Sequence, residues 1–342
     1  FAAQFVQNPW YPVAEPSDAQ ASADTADASR DLTAELVKLV QAMQEIKAEE
    51  DSRVNSYEIF VNQKQTHIRN SRGVDVTFSG FDCEIEVVTN SRKDDHEIEI
   101  YRDLRFSDKS AEKIIAEVRG MFHTGRQRLN AVPTRQNEHA DVLLSGDAVG
   151  SFFQYFAMHT NASYQYMGVA KTKIGEAITG ADADPLNIRL VPTLDGSAKN
   201  APYDETGMPV AERVLFENGI CRSYWGSLQH AHYIDMKDTT SMNNMVVEGG
   251  SKTLDELRSI PHIEITDFSA FDMDAVSGTC GGEIRLAYES DGTTSHPTTS
   301  GSLSARYDDV LKNLTFSKET QQLNNRVVPC AVLLRDVTVA GE

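Results

Sequence analysis

Residues 142–159 read VLLSGDAVGSFFQYFAMH. Val142, Leu143 and Leu144 form a short apolar run that predicts a strand. Ser145, Gly146 and Asp147 supply turn chemistry. Ala148, Val149, Phe152, Phe153 and Phe156 follow at helical spacing and define one apolar face. A strand running through a tight turn into a helix is where many α/β enzymes set a nucleophile, a phosphate loop or a metal ligand. No GxSxG elbow surrounds Ser145, so Ser145 or Asp147 is expected to cap the helix rather than to react.

Upstream, residues 15–29 form an Ala/Asp/Ser-rich loop, and 31–50 an amphipathic helix with Leu32, Leu36, Leu39, Val40, Met43 and Ile46 on one face. Ser29 or Asp31 is its expected cap. Strand patterns occupy 56–61, 65–70, 74–77, 83–89 and 96–102, with polar turns at 70–73 and 90–95. They predict an antiparallel meander with one wet face. A second helix spans 109–122, with Ile114, Ile115, Val118, Met121 and Phe122 inward.

Downstream, strands are expected at 171–178, 187–192, 213–217, 220–225, 262–268, 283–288 and 327–339, and a short helix at 307–314. Asn218-Gly219 is the strongest hairpin signal, because both central positions of a type I′ turn need positive φ. Gly249-Gly250-Ser251 is expected to be a turn before a helix capped near 253–256. The fold class is α+β: helices and a meander in residues 1–123, then a mostly antiparallel, β-rich domain with a few helices in 124–342.

The chain has 342 residues, 40% of them hydrophobic, enough for a sizeable core. No apolar run approaches the roughly 20 residues of a membrane span. The opening FAAQFVQNPWYP lacks the regions of a signal peptide and reads as the end of a helix, so the N-terminal domain is expected to be truncated at its start. A net charge of −19 argues against direct nucleic-acid binding, which needs clustered Lys and Arg. Cys83, Cys221, Cys280 and Cys330 are widely spaced, which suits reduced thiols and a cytoplasmic location.

The catalytic constellations are sparse. None of the nine histidines sits in a zincin pattern. His230 and His232 would share one face of a strand, and with Asp235 they form a weak candidate metal set or a diverged hydrolase site. Two surface or stacking histidines are the simpler expectation. Asp204, Glu205, Asp272 and Asp274 are loop acids without sugar-binding aromatics, and residues 247–252 lack Walker spacing.

A set of boxes in order gives more. Tyr203-Asp204-Glu205-Thr206-Gly207-Met208-Pro209, Leu215-Phe216-Glu217-Asn218-Gly219-Ile220 and Ser223-Tyr224-Trp225-Gly226-Ser227-Leu228 with Ala231 resemble successive motifs of the TldD/PmbA family. So do Asn243-Asn244-Met245-Val246-Val247-Glu248-Gly249, Thr253-Leu254-Asp255-Glu256-Leu257, and the ending from Val328-Pro329-Cys330 to Val339-Ala340-Gly341. Asn8-Pro9-Trp10-Tyr11 and Asn70-Ser71-Arg72-Gly73 are similar to upstream motifs. The resemblance implies a further upstream segment of order 100 residues.

The resemblance also implies a role. TldD-like members carry HExxxH at the start of the central helix and bind zinc as metalloproteases. PmbA (TldE)-like members lack the motif and pair with a TldD-like subunit. Gly146 stands at the first His position, Asp147 at the Glu and Ser151 at the second His, so this chain resembles the PmbA branch. No cofactor of its own is then expected, with zinc only in a TldD-like partner. The expected partners are that subunit or a second copy of this chain, and a peptide substrate near the Asp204, Glu205 and Gly207 loop. A stand-alone hydrolase and a homo-oligomeric binding or scaffold protein are the alternatives. Direct DNA contact, which the family label "modulator of DNA gyrase" suggests, does not suit so acidic a chain.

Overall fold

The computed structural model describes residues 12–16 and 30–342. Most of the 15–29 loop, the Ser29 cap and the 8–11 motif therefore lie outside the described residues. Helix α1 (Leu32–Glu45) is capped by Asp31, whose carboxylate accepts from the Thr33 and Ala34 amides. Strands β1 (Ser52–Arg69), β2 (Asp75–Lys93) and β3 (His96–Phe106) form an antiparallel sheet in that order. The two predicted strands at 56–61 and 65–70 are one continuous strand. β2 buries alternate residues, among them Cys83, Ile85 and Val87, against Leu39 of α1 and Val118 and Phe122 of α2 (Ala111–Leu129). The other face is wet, as its alternation predicts. Asn70 folds the first hairpin, accepting from the Arg72 and Val74 amides.

Next come β4 (Val132–Pro133), β5 (Asn137–Ser145), α3 (Ala148–His159), α4 (Ala162–Met167), β6 (Ile188–Val191), β7 (Arg213–Glu217), β8 (Ile220–Cys221), α5 (Leu228–Tyr233), β9 (Asn244–Val247) and α6 (Leu254–Arg258). The last third holds β10 (His262–Asp274), β11 (Thr279–Ser290), β12 (Ser295–Thr299), β13 (Ser302–Arg306), α7 (Tyr307–Val310), β14 (Thr315–Phe316), β15 (Thr320–Leu323), β16 (Arg326–Pro329) and β17 (Ala331–Ala340). Strands β10, β5, β17, β13 and β11 are neighbours in that order, and pairing of β10 with β11 closes them into a barrel. A second sheet runs β15-β16-β9-β6-β7-β8.

From Val142 to Ser145 β5 is buried on both faces, which explains the unbroken apolar run there. Val142 and Leu144 join the main core, while Leu143 packs with Leu257, Ala331 and Leu333. The main core holds Phe152, Phe153 and Phe156 of α3 between barrel residues such as Val332 and second-sheet residues such as Ile188 and Phe216. Tyr307 stacks on Tyr155 at 3.6 Å, and its hydroxyl donates to the Phe152 carbonyl.

Further expectations need correction. Residues 171–178 form a loop, with a left-handed Gly175 and a single bridge from Ala177 to Ile220. The 220–225 strand stops at Cys221. The closing 327–339 strand is two strands, β16 in the second sheet and β17 in the barrel. Cys330 lies at the break, where its amide bonds the Glu319 carbonyl. Asn218-Gly219 does turn the β7–β8 hairpin, with φ of 51° and 75°.

Thr253 and Glu256 close a reciprocal capping box on α6. Thr253→Ala is expected to cost about 1 kcal/mol in urea unfolding. A loss below the error of the measurement would mean that packing of Leu257 alone holds this helix.

Candidate functional site

β5 ends at Ser145, and the chain turns through Gly146 at φ 69°. A side chain there would put its Cβ 2.6 Å from the Thr266 carbonyl oxygen of β10. Neither expected cap forms. Asp147 already has helical angles, φ −66° and ψ −28°, and makes no capping bond. A capping side chain needs an extended backbone to fold over the first-turn amides. The Gly146 and Asp147 carbonyls accept from Val149 and Gly150 instead. The Ser145 hydroxyl donates to the Ile265 carbonyl at 3.4 Å.

Gly146 offers no side chain, and the neutral Ser151 hydroxyl is a poor zinc ligand. Among the described residues, no group of three or more His, Cys, Asp or Glu side chains is placed to hold a metal ion. The residues at this junction therefore do not fit the zinc centre that the HExxxH pattern builds.

The junction is nevertheless open. α3 is buried except along Asp147, Ser151, Gln154 and Met158, which form one stripe at helical spacing. A cleft of about 540 Å³ lies over its first turn, lined by Asp147 and Gly150, by Arg102, Arg105 and Lys109 from the meander side, and by residues 321–326. A second cleft of about 540 Å³ lies along Ser151, Gln154, Met158 and residues 271–275. Gln154 links them, accepting from Arg326 Nη2 at 2.8 Å. The Arg102–Asp267 ion pair, at 2.7 Å, ties β3 to β10 beside the first cleft. Beyond Ile265, β10 has no ladder partner on its β5 side among the described residues, and β15 is the edge of the second sheet.

Behind the turn sits a partly buried ionic cluster. Arg258 donates two bonds to Glu264, at 2.8 and 2.7 Å, and His262 lies 3.9 Å from the same carboxylate. Burial pushes the Glu264 carboxyl up, but His262, the Arg258 fork and its charge, and Ser145 outweigh it and hold the carboxyl at about 2. Burial pushes His262 down, and Glu264 and the Ile260 carbonyl more than reverse it.

The other candidates lie elsewhere. His230 and His232 sit on helix α5, not on a strand, so two-residue spacing splays them about 200° apart instead of aligning them. His230 bonds Ser227 and packs near Tyr166 and Tyr233, and Asp235 follows the helix with φ 55°. Asp204 accepts from the Thr206 and Met208 amides and so builds its own turn. Gly207, at φ 84°, packs under Val74, while Glu205 is exposed. This loop docks on the β1–β2 hairpin, where Tyr203 meets Phe78. Sequence reasoning missed Arg258, His262, Glu264, Gln154 and Arg326. None belongs to a local motif. The one signal was the charge in Glu264, inside a strand pattern that is otherwise apolar at 263–265.

Fold and junction together define an α+β protein in which a buried strand–turn–helix underlies an open cleft. The PmbA/TldA metallopeptidase C-terminal domain matches residues 137–341, and the chain belongs to the TldD/PmbA family. Among solved structures, TldE from Thermococcus kodakarensis is similar at 18% identity and a TM-score of 0.72, covering 98% of this chain and 80% of that one. A proposed modulator of DNA gyrase from Thermotoga maritima gives 17% and 0.73, covering 98% and 79%. Another from Bacteroides thetaiotaomicron gives 15% and 0.70, covering 99% and 78%. At these identities the likeness is one of fold. No curated protein matches the chain. No helix among the described residues is long and apolar enough to cross a membrane.

Proposed function

We propose that this chain is a non-zinc-binding, PmbA/TldE-like subunit of a cytoplasmic metalloprotease assembly that acts on peptides or small proteins. A TldD-like partner supplies the zinc and the hydrolytic chemistry. The observation that carries this is the left-handed Gly146 at the first ligand position, backed by the Thr266 carbonyl where an imidazole would have to start. The open stripe of α3 and the free strand edges beside it support a role in holding an extended peptide.

The test is purification of the full-length protein from its host at native expression. Expected is a complex containing an HExxxH-bearing subunit, with zinc in proportion to that subunit alone and peptide cleavage that needs both. One zinc per copy of this chain, with cleavage by this chain alone, would overturn the reading. A homo-oligomer with no such partner would leave a scaffold protein.

A further inference from the structure

We propose that the cleft over the first turn of α3 binds a peptide carboxylate through Arg326. This names the ligand chemistry of the proposed peptide site and rests on that reading. Arg326 opens β16 and lines the cleft. Its Nη2 is fixed by Gln154, and among the described residues no carboxylate lies within 4 Å of it. Nε and Nη1 donate to no protein acceptor there. Gly150 makes room for the group: a Cβ at that position would be 3.6 Å from Nη1 and 3.1 Å from Leu323 Cδ1.

The neighbouring cations are already engaged. Arg102 pairs with Asp267, Arg105 with Glu84 and Asp103, and Lys109 with Glu117. Arg326 is the exception among the cleft's four cations. Burial alone acts on it and lowers its pKa, with no opposing charge. A partly buried guanidinium without an anion is a cost to folding, which a bound carboxylate would offset. Its planar fork accepts a carboxylate in two parallel bonds. A terminal carboxylate and an acidic side chain share this chemistry.

Fluorescence anisotropy with labelled heptapeptides of one sequence separates the two sources. One pair differs in a free or amidated C-terminus, and another in a central Glu or Gln. The protein is used as purified, alone and in any complex it forms. At least one carboxylate form is expected to bind about tenfold or more tightly than its neutral counterpart, as a charged bond of this kind provides. That ratio should collapse to about twofold or less in Arg326→Gln and be partly kept in Arg326→Lys. Because the ratio is taken within each variant, a general loss of affinity does not imitate the result. Equal binding of all four peptides, or a ratio unchanged in Arg326→Gln, overturns the Arg326 assignment and leaves peptide binding standing. No binding by any peptide overturns both.

Discussion

Replacing Gly146 and Ser151 together by His is expected to destabilise the chain by about 3 kcal/mol or more, without creating a zinc centre. Two costs add at position 146. A side chain on a left-handed residue costs roughly 1–2 kcal/mol by itself. Its Cβ would then fall 2.6 Å from the Thr266 carbonyl oxygen, so backbone must move. Thr266 follows the segment of β10 that is held on one side by β5 and on the other by β11, so the movement breaks ladder bonds. Ser151→His alone is the control. Ser151 is half-buried on the open stripe, and the single change should stay within about 1 kcal/mol. Urea unfolding gives the stabilities, and metal analysis gives the zinc content. A stable double variant holding one zinc per chain would show that the junction keeps the geometry of a metal site, and that two side chains alone separate the branches.

Arg258→Ala is the second large effect, expected to cost about 3 kcal/mol. Glu264→Gln should cost less, about 1 kcal/mol, and the asymmetry is the informative part. The Glu264 side chain is 8% exposed, whereas that of Arg258 is 46% exposed. Removing Arg258 strands a buried carboxylate, while removing the carboxylate leaves a guanidinium that water can solvate. Exposure of Arg258 places the figure at the lower end for buried pairs.

The pH dependence follows from the same cluster. The folded-state value of Glu264, about 2, lies below its ordinary 4.5. Its contribution is therefore complete above the ordinary carboxylate range and is lost as pH falls from there towards 2. The raised His262 acts with the opposite sign: its contribution is complete below the ordinary histidine range and fades as pH rises through the folded value. In Arg258→Ala the acid limb should flatten. Equal costs for the two variants, or an acid limb unchanged in Arg258→Ala, would remove this cluster as a support of the β5–β10 junction.

Elements whose conformation is set by a few adjacent residues were legible in the sequence. Asn218-Gly219 turned where positive φ was required, Asp31 capped α1, and the Thr253–Glu256 box opened α6. The apolar run 142–144 announced a strand. Short segments were ambiguous. Residues 228–233 became one turn of helix rather than a strand, because six residues fit either period and the Ser227 cap and tertiary packing chose between them. The 171–178 stretch lies against β8, where Gly175 and Ile178 donate to Cys221 and Gly219, but the left-handed Gly175 bends the chain and the pairing stops at a single bridge.

By itself the sequence determined the α+β class, the junction at 142–159, the family boxes and the presence of Gly and Ser at positions 146 and 151. These depend on residue identity and local spacing. The tertiary structure decided what surrounds them. It set Gly146 in a left-handed turn against β10, joined Ser145 to a strand 120 residues away, gathered Arg258, His262 and Glu264 behind it, and brought Arg326 to Gln154 across 172 residues of chain. Backbone preference is written in neighbouring residues, whereas burial and charge pairing arise only when distant segments meet and exclude water.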